Sequence, residues 1–84
     1  MSDDIILKLL QRLHRMRHKP DLHSFKAKIK DGVAYVEAEE DGIFIECFTY
    51  DDEGNETRER WVSPIPEAAR ELHERGLELK SIET

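Results

Sequence analysis

Three histidines near the N-terminus have spacing that metal sites use. His14 and His18 are four residues apart, on one side of a predicted helix, and His23 follows shortly after. A zinc site needs three or four ligands, and carboxylates are so plentiful in this chain that their presence says little. We therefore expect surface histidines, with no bound metal and no cofactor.

Cys47 is the only cysteine, and therefore the only thiol available as a nucleophile. It falls on the predicted core side of a central strand, where a thiol is buried and unreactive. The acidic run at residues 51–56 lacks the spacing and length of a calcium-binding EF-hand loop. Since no phosphate-binding glycine loop or Ser-His-Asp arrangement is recognisable, we expect a protein that is not an enzyme.

The charges of the chain are divided unevenly along its length. Residues 1–30 contain eight Lys and Arg against three Asp and Glu, a net of +5, whereas residues 31–84 contain five against sixteen, a net of −11. The whole chain of 84 residues carries −6. Such a split favours a protein partner or self-association over general affinity for nucleic acid.

Most of the positive charge near the N-terminus gathers in the run KLLQRLHRMRHK, residues 8–19. At about 100° per residue, four of its cations fall within an arc of about 60° on a helix. This basic ridge consists of Lys8, Arg12, Arg15 and Lys19. We favour a solvent-exposed helix surface, because Lys and Arg are good helix formers and suit the C-terminal end of the dipole. An acidic protein surface and nucleic acid are the alternative ligands.

The elements that position these residues follow from periodicity. Apolar residues recur at helical spacing over residues 3–19, and Pro20 ends that helix. Four segments alternate between apolar and polar residues, as strands do. These predicted strands are residues 23–30, 33–40, 43–50 and 56–63. A second helix contains Pro66 in its first turn and stops at Gly76, and residues 77–82 are predicted to add a short fifth strand or to pack loosely.

This order of elements predicts an α+β fold in a single domain, residues 1–84. We expect a two-layer sandwich, in which a four-stranded antiparallel meander carries the N-terminal and C-terminal helices on one face (α-β-β-β-β-α). Asp-Gly turns at residues 31–32 and 41–42 set the register of the first two hairpins. The expected cross-strand pairs are Ile29 with Ala34, Ala38 with Ile45, and Ile45 with Trp61.

The side of the sheet away from the helices is the strongest candidate for a binding surface. Its four aromatic rings among cations form a patch that monomers usually avoid. Aromatic residues edged by Arg are typical of protein interfaces, although the same mixture stacks single-stranded bases. Cover by the C-terminal residues or by one helix is a third interpretation. The candidate residues are Lys28, Tyr35, Phe44, Phe48, Tyr50, Arg58 and Arg60.

A charged row is expected to cross the same side of the sheet. It consists of Lys26, Glu37, Glu46 and Arg60, in the order plus, minus, minus, plus. The two carboxylates at its centre argue against a phosphate backbone nearby. We therefore predict a non-enzymatic protein-binding or regulatory module that acts through this face, with a homodimer as one form. RNA or single-stranded DNA binding, through the basic ridge and the sheet aromatics, is the alternative.

Membrane contact and cellular location are predicted from features that the sequence lacks. No apolar run approaches the roughly twenty residues that span a bilayer, so we expect no membrane contact. A lone cysteine cannot form an internal disulfide, and residues 1–10 do not resemble a secretion signal. Both observations favour the cytoplasm.

Overall fold

The structure places helices and strands in the predicted order. The computed structural model describes residues 2–21 and 23–83, and its antiparallel sheet has the strand order β1-β2-β3-β4. The elements are α1 (Ser2–Arg15), β1 (Ser24–Ile29), β2 (Gly32–Glu39), β3 (Gly42–Tyr50), β4 (Glu56–Ser63) and α2 (Ile65–Glu74). The predicted α+β fold, α-β-β-β-β-α, is confirmed.

The core lies between one face of the sheet and the apolar sides of both helices. Alternation along each strand sends every second side chain to this inner face, as predicted. Burying a side chain such as Ile43 or Ile45 completely stabilises the fold by about 1.5–3 kcal/mol. The other buried apolar residues are Phe25, Ala27, Ile29, Ala34, Val36, Ala38 and Cys47 in the sheet, with Ile6, Leu10, Leu13, Ala68, Ala69 and Leu72 in the helices.

The helix α1 ends four residues before the predicted position at residue 19. Beyond Arg15 the backbone tightens, and the N–H of Arg17 donates to the carbonyl oxygen of His14, three residues back, at 3.2 Å. The Arg17 guanidinium donates to the same carbonyl at 2.9 Å. The helix stops early because this turn and this side chain satisfy its last carbonyl groups before Pro20 is reached.

The first two hairpin turns lie one residue earlier than predicted. Residues 30–31 and 40–41 form the two-residue loops, while Gly32 and Gly42 are the first residues of β2 and β3. Gly32 is needed for a close approach, because a Cβ at this position would lie 1.8 Å from the carbonyl oxygen of Phe48. The glycines were therefore misread as turn residues.

This change shifts the strand register by two residues. Ile29 lies opposite Gly32 instead of Ala34, and Ala38 lies opposite Ile43 instead of Ile45. A shift of two residues keeps every side chain on its predicted face, so the inner and outer faces are unchanged. In the third hairpin, Ile45 lies opposite Trp61 as predicted.

The C-terminal residues run along the free edge of β1 without forming a fifth strand. After α2, a 3₁₀ turn occupies Leu79–Ser81. The N–H of Lys28 donates to the Ser81 hydroxyl at 2.6 Å, and its carbonyl oxygen accepts from the N–H of Glu78 at 2.9 Å. Lys26 and Glu83 then exchange two backbone hydrogen bonds, at 2.9 and 2.7 Å. The ladder stays short because the hydroxyl takes the place of a backbone acceptor.

Candidate protein-binding face

The outer face is the side of the sheet away from α1 and α2. The C-terminal residues 78–83 lie along the edge of β1 and leave much of this face in contact with solvent. Val33, Tyr50 and Val62 are 44%, 51% and 50% exposed. Large apolar side chains with this exposure, gathered on one side of one sheet, mark a surface that suits a partner.

Phe48 and Arg58 form the centre of a basic half of the outer face. They lie opposite each other on β3 and β4, and the Cζ atom of Arg58 is 5.0 Å from the centroid of the Phe48 ring. A cation over a ring at such an exposed site stabilises by about 0.5–1 kcal/mol. Val33 lies opposite Phe48 on the other side, and Lys28 lies opposite Val33. The row therefore places a ring and an apolar side chain between two cations.

Tyr35 and Phe44 belong to the second half of the outer face, which contains the two carboxylates Glu37 and Glu46. Their ring centroids are 6.3 Å apart in an edge-to-face arrangement. The Tyr35 hydroxyl donates to the Glu37 carboxylate, and this bond together with burial raises the pKa of Tyr35. Glu46 lies opposite Tyr35 on β3. The phenol is thus held in one orientation between carboxylates.

The expected charged row is only partly formed. The two-residue shift places Tyr35, in the position predicted for Glu37, between Lys26 and Glu46. Glu46 lies opposite Arg60, as predicted. In the predicted register Tyr35 faces Phe48, whereas in the structure Val33 takes that position and Tyr35 lies two residues further along β2, opposite Glu46.

The basic ridge is shorter in the structure than in the prediction. Lys19 lies beyond the end of α1, so the helix itself carries three of the four cations. They border a shallow depression of about 400 Å³. Its lining residues are Ile5, Lys8, Leu9, Gln11, Arg12 and Arg15. Ile5 is 55% exposed, which gives this side of the helix an apolar border.

The histidines and the cysteine have structural contacts of their own. His14 Nε2 lies 3.4 Å from the carbonyl oxygen of Glu40, and His23 Nδ1 lies 3.1 Å from that of Lys19. In the part of the chain that the structure describes, no three His, Cys, Asp or Glu side chains are grouped to hold a metal ion. Burial raises the pKa of the Cys47 thiol, which keeps it protonated.

A groove of about 410 Å³ opens at the inner face beside the end of α2. Cys47 lies in its lining with Glu59 and Glu74, whereas His14 and His18 lie outside it. Cys47 is only 2% exposed, so its sulfur is poorly accessible from the groove. The groove therefore brings a buried thiol and two carboxylates together without His14 or His18.

A polar cluster between β4 and α2 was not predicted from the sequence. Glu71 Oε1 accepts hydrogen bonds from Trp61 Nε1 at 3.0 Å and from Ser63 Oγ at 2.6 Å. Burial acts to raise the pKa of Glu71, but these bonds and the charge of Arg75 outweigh it and lower the pKa. The spacing of Glu71 and Arg75, four residues apart on a helix, is the one signal that the sequence offered.

Comparison with known proteins gives no relative from which to transfer a function. The chain matched no protein-family model, no curated protein and no solved structure. In the part of the chain that the structure describes, no helix is long and apolar enough to cross a membrane.

Proposed function

We propose that this chain is a small non-enzymatic binding module of the cytoplasm, and that its outer face binds an acidic, partly apolar segment of another protein. The observation that carries the proposal is the row of Lys28, Val33, Phe48 and Arg58, in which apolar groups lie between two cations. Aromatic residues with Arg at their edge are enriched in the binding centres of protein interfaces.

The contacts within this row suit an acidic partner. A carboxylate that approaches Arg58 meets a guanidinium already held over the Phe48 ring, which lowers the cost of ordering that side chain. An apolar side chain of the partner then covers Val33, which is 44% exposed when the face is free. Tyr35 lies in the next row of the face, two residues from Val33 on β2, and is held there by its hydrogen bond to Glu37.

The charges favour protein over nucleic acid as the ligand. A protein segment can place a few carboxylates at Lys28 and Arg58 alone, whereas the continuous charge of a phosphate backbone would also meet Glu37 and Glu46, which repel it. The chain as a whole carries −6, which opposes the electrostatic attraction that provides most non-specific binding to nucleic acid. The basic ridge on α1 remains a separate surface for steering an acidic partner toward the protein.

Affinity capture with two matched variants tests the proposal. Tyr50→Asp places a negative charge on the outer face, and Ile5→Asp places the same charge on α1. The two wild-type side chains are almost equally exposed, at 51% and 55%. Tagged wild type and both variants are expressed in the source cells, and the bound proteins are compared by quantitative mass spectrometry.

The proposal predicts a protein that is captured by the wild type and by Ile5→Asp but is lost with Tyr50→Asp. A set of bound proteins that does not differ between the two variants would contradict it. Self-association that is abolished both by Tyr50→Asp and by Val33→Asp on β2, but not by Ile5→Asp, would assign the outer face to a second copy of the chain, and would also overturn the proposed partner.

A further inference from the structure

The two edges of the sheet differ in what lies beside them. The edge of β1 is occupied by the C-terminal residues, through backbone bonds at Lys26 and Lys28. Within residues 2–21 and 23–83, β4 has β3 on one side and no strand on the other. An exposed edge is a template for a further strand, so proteins cover it or use it.

The backbone groups at the edge of β4 can be assigned from the ladder. The N–H of Asp51 donates to the carbonyl oxygen of Asn55 at 3.1 Å, in register with the β3–β4 pairs. Bonded and non-bonded pairs alternate along an antiparallel ladder. The residues of β4 that direct N–H and C=O groups outward are therefore Glu56, Arg58, Arg60 and Val62.

The first half of β4 is exposed on both faces as well as at its edge. Every residue from 56 to 60 is exposed, whereas Trp61 is half-buried and Ser63 is buried. The helices therefore cover only the second half of the strand, which Glu71 holds through Trp61 and Ser63. A strand added along the first half meets no covering element of the chain.

The side chains of this segment are complementary to themselves in one arrangement. When two copies pair symmetrically, residues whose backbone N–H and C=O groups point out of the edge must lie opposite each other. Only a small set of registers meets this condition. With Thr57 opposite Thr57, Glu56 of each copy faces Arg58 of the other. Centring the pair on Arg58 sets Glu56 opposite Arg60 but also places the two Arg58 side chains opposite each other. Centring it on Glu59 places Glu59 opposite Glu59 and Arg58 opposite Arg60. Like charges opposite each other are destabilising, and of these three registers only the one centred on Thr57 has none.

We infer that β4 pairs antiparallel with β4 of a second copy, centred on Thr57, and that two four-stranded sheets join into one of eight strands. The Arg58 and Glu56 side chains are 4.0 Å apart within one chain and more than two-fifths exposed, so both are accessible to the second copy. The inference concerns the edge and not the outer face, so it stands independently of the proposed function.

The pairing has a consequence for the outer face. Both helical layers lie on the same side of the joined sheet, and the two outer faces become continuous on the other side. Phe48, Arg58, then Glu56 and Tyr50 of the second copy follow one another across the junction. The dimer thus presents two basic halves next to each other, which suits a long or repeated acidic partner.

A charge-exchange experiment with sedimentation equilibrium tests the inference. Arg58→Glu and Glu56→Arg each place like charges at the junction, so each variant alone is expected to be monomeric. An equimolar mixture of the two restores both opposite-charge pairs and is expected to form a heterodimer. Arg60→Glu makes the same change of net charge as Arg58→Glu but falls opposite Gly54, and should remain largely dimeric.

The inference predicts that the wild type has a mass of twice 9.9 kDa at micromolar to millimolar concentrations. A monomeric wild type over that range would overturn it, as would a mixture that fails to associate. Loss of the dimer with Val33→Glu, which alters the outer face on β2, two strands away from the edge, would also overturn it. Because variants can misfold, hydrogen exchange of the wild type gives a second readout. The amides of Glu56 and Arg58 should become protected as the protein concentration rises. Protection that does not change with concentration would contradict the inference.

Discussion

At the scale of single residues, Glu71 determines how firmly the edge strand is attached. Its carboxylate is the acceptor for Trp61 Nε1 and Ser63 Oγ, and the Cζ atom of Arg75 lies 4.5 Å from the centroid of the Trp61 ring. These contacts join α2 to the end of β4 that lies under the helices. The other end of β4 extends past the helices. A partner strand therefore has room only along that end.

Replacing Glu71 by Ala should lower the free energy of unfolding by about 1–3 kcal/mol, because two donors at a partly buried site lose their acceptor. Glu74→Ala on the same helix is the control, and it should change stability by less than about 0.5 kcal/mol because that side chain is exposed. Urea unfolding followed by Trp61 fluorescence measures both. Equal effects of the two substitutions would show that the cluster does not hold β4.

The lowered pKa of Glu71 makes part of the stability depend on pH. The folded pKa lies below the ordinary value of 4.5, so ionised Glu71 stabilises the fold above the unfolded pKa, and this contribution is lost as the pH falls through the folded pKa. We expect the difference in unfolding free energy between wild type and Glu71→Gln to be full at neutral pH and to shrink once the pH falls below 4.5. A difference that stays constant in urea titrations across this range would contradict the assigned cause.

At the scale of the elements, the sequence was sufficient for the faces of the strands and insufficient for their register. The alternation of Phe25, Ala27 and Ile29 with lysines fixes which side is buried, whatever the pairing. Register depends on which two residues form each turn, and an Asp-Gly pair fits two neighbouring positions. Gly32 settles the choice through its approach to the backbone at Phe48, a tertiary contact that local sequence does not reveal.

The same distinction, between the face of a strand and its register, explains which features of the candidate site were predicted. The residues on the outer face were identified correctly because they depend on alternation alone. Their cross-strand neighbours were not, since Tyr35 lies opposite Glu46 and not opposite Phe48. The early end of α1 was missed because it involves the Arg17 side chain, which bonds the His14 carbonyl and also pairs with Glu40, 3.4 Å away, a tertiary contact that the local sequence does not reveal.

Gly32→Ala should be far more destabilising than Gly54→Ala. The new Cβ at residue 32 would lie 1.8 Å from a backbone oxygen, which forces two strands apart, and we expect a loss above about 2 kcal/mol. Gly54 has φ of 85° but open space around it, so alanine there costs about 1–2 kcal/mol of backbone strain. Thermal unfolding followed by circular dichroism ranks the two. A smaller loss for Gly32→Ala would contradict the register described for the first hairpins.

At the scale of the whole molecule, three surfaces have separate chemistry. The outer face combines rings with cations, the β4 edge offers backbone groups, and α1 carries the basic ridge beside an exposed Ile5. The chain as a whole carries a net charge of −6. This arrangement favours acidic proteins at the basic surfaces only at short range, where local cations outweigh the overall charge.

The charge distribution predicts little affinity for nucleic acid. A fluorescently labelled single-stranded RNA should show no change in polarisation with the wild type, even at low salt, because Glu37 and Glu46 interrupt the outer face. Binding that weakens steeply with salt, and that disappears when Arg12 and Arg15 are replaced by Glu, would assign the basic ridge to RNA. That outcome would contradict the predicted low affinity for nucleic acid.

Site-specific photo-crosslinking in the source cells tests the central claim most directly. A photoreactive phenylalanine analogue replaces Tyr50 on the outer face or Ile5 on α1, two positions of nearly equal exposure. The proposal predicts a crosslink from position 50 to another protein, through a segment that is acidic and partly apolar, and none to that protein from position 5. The absence of any such crosslink from position 50, or an equal yield from both positions, would contradict it.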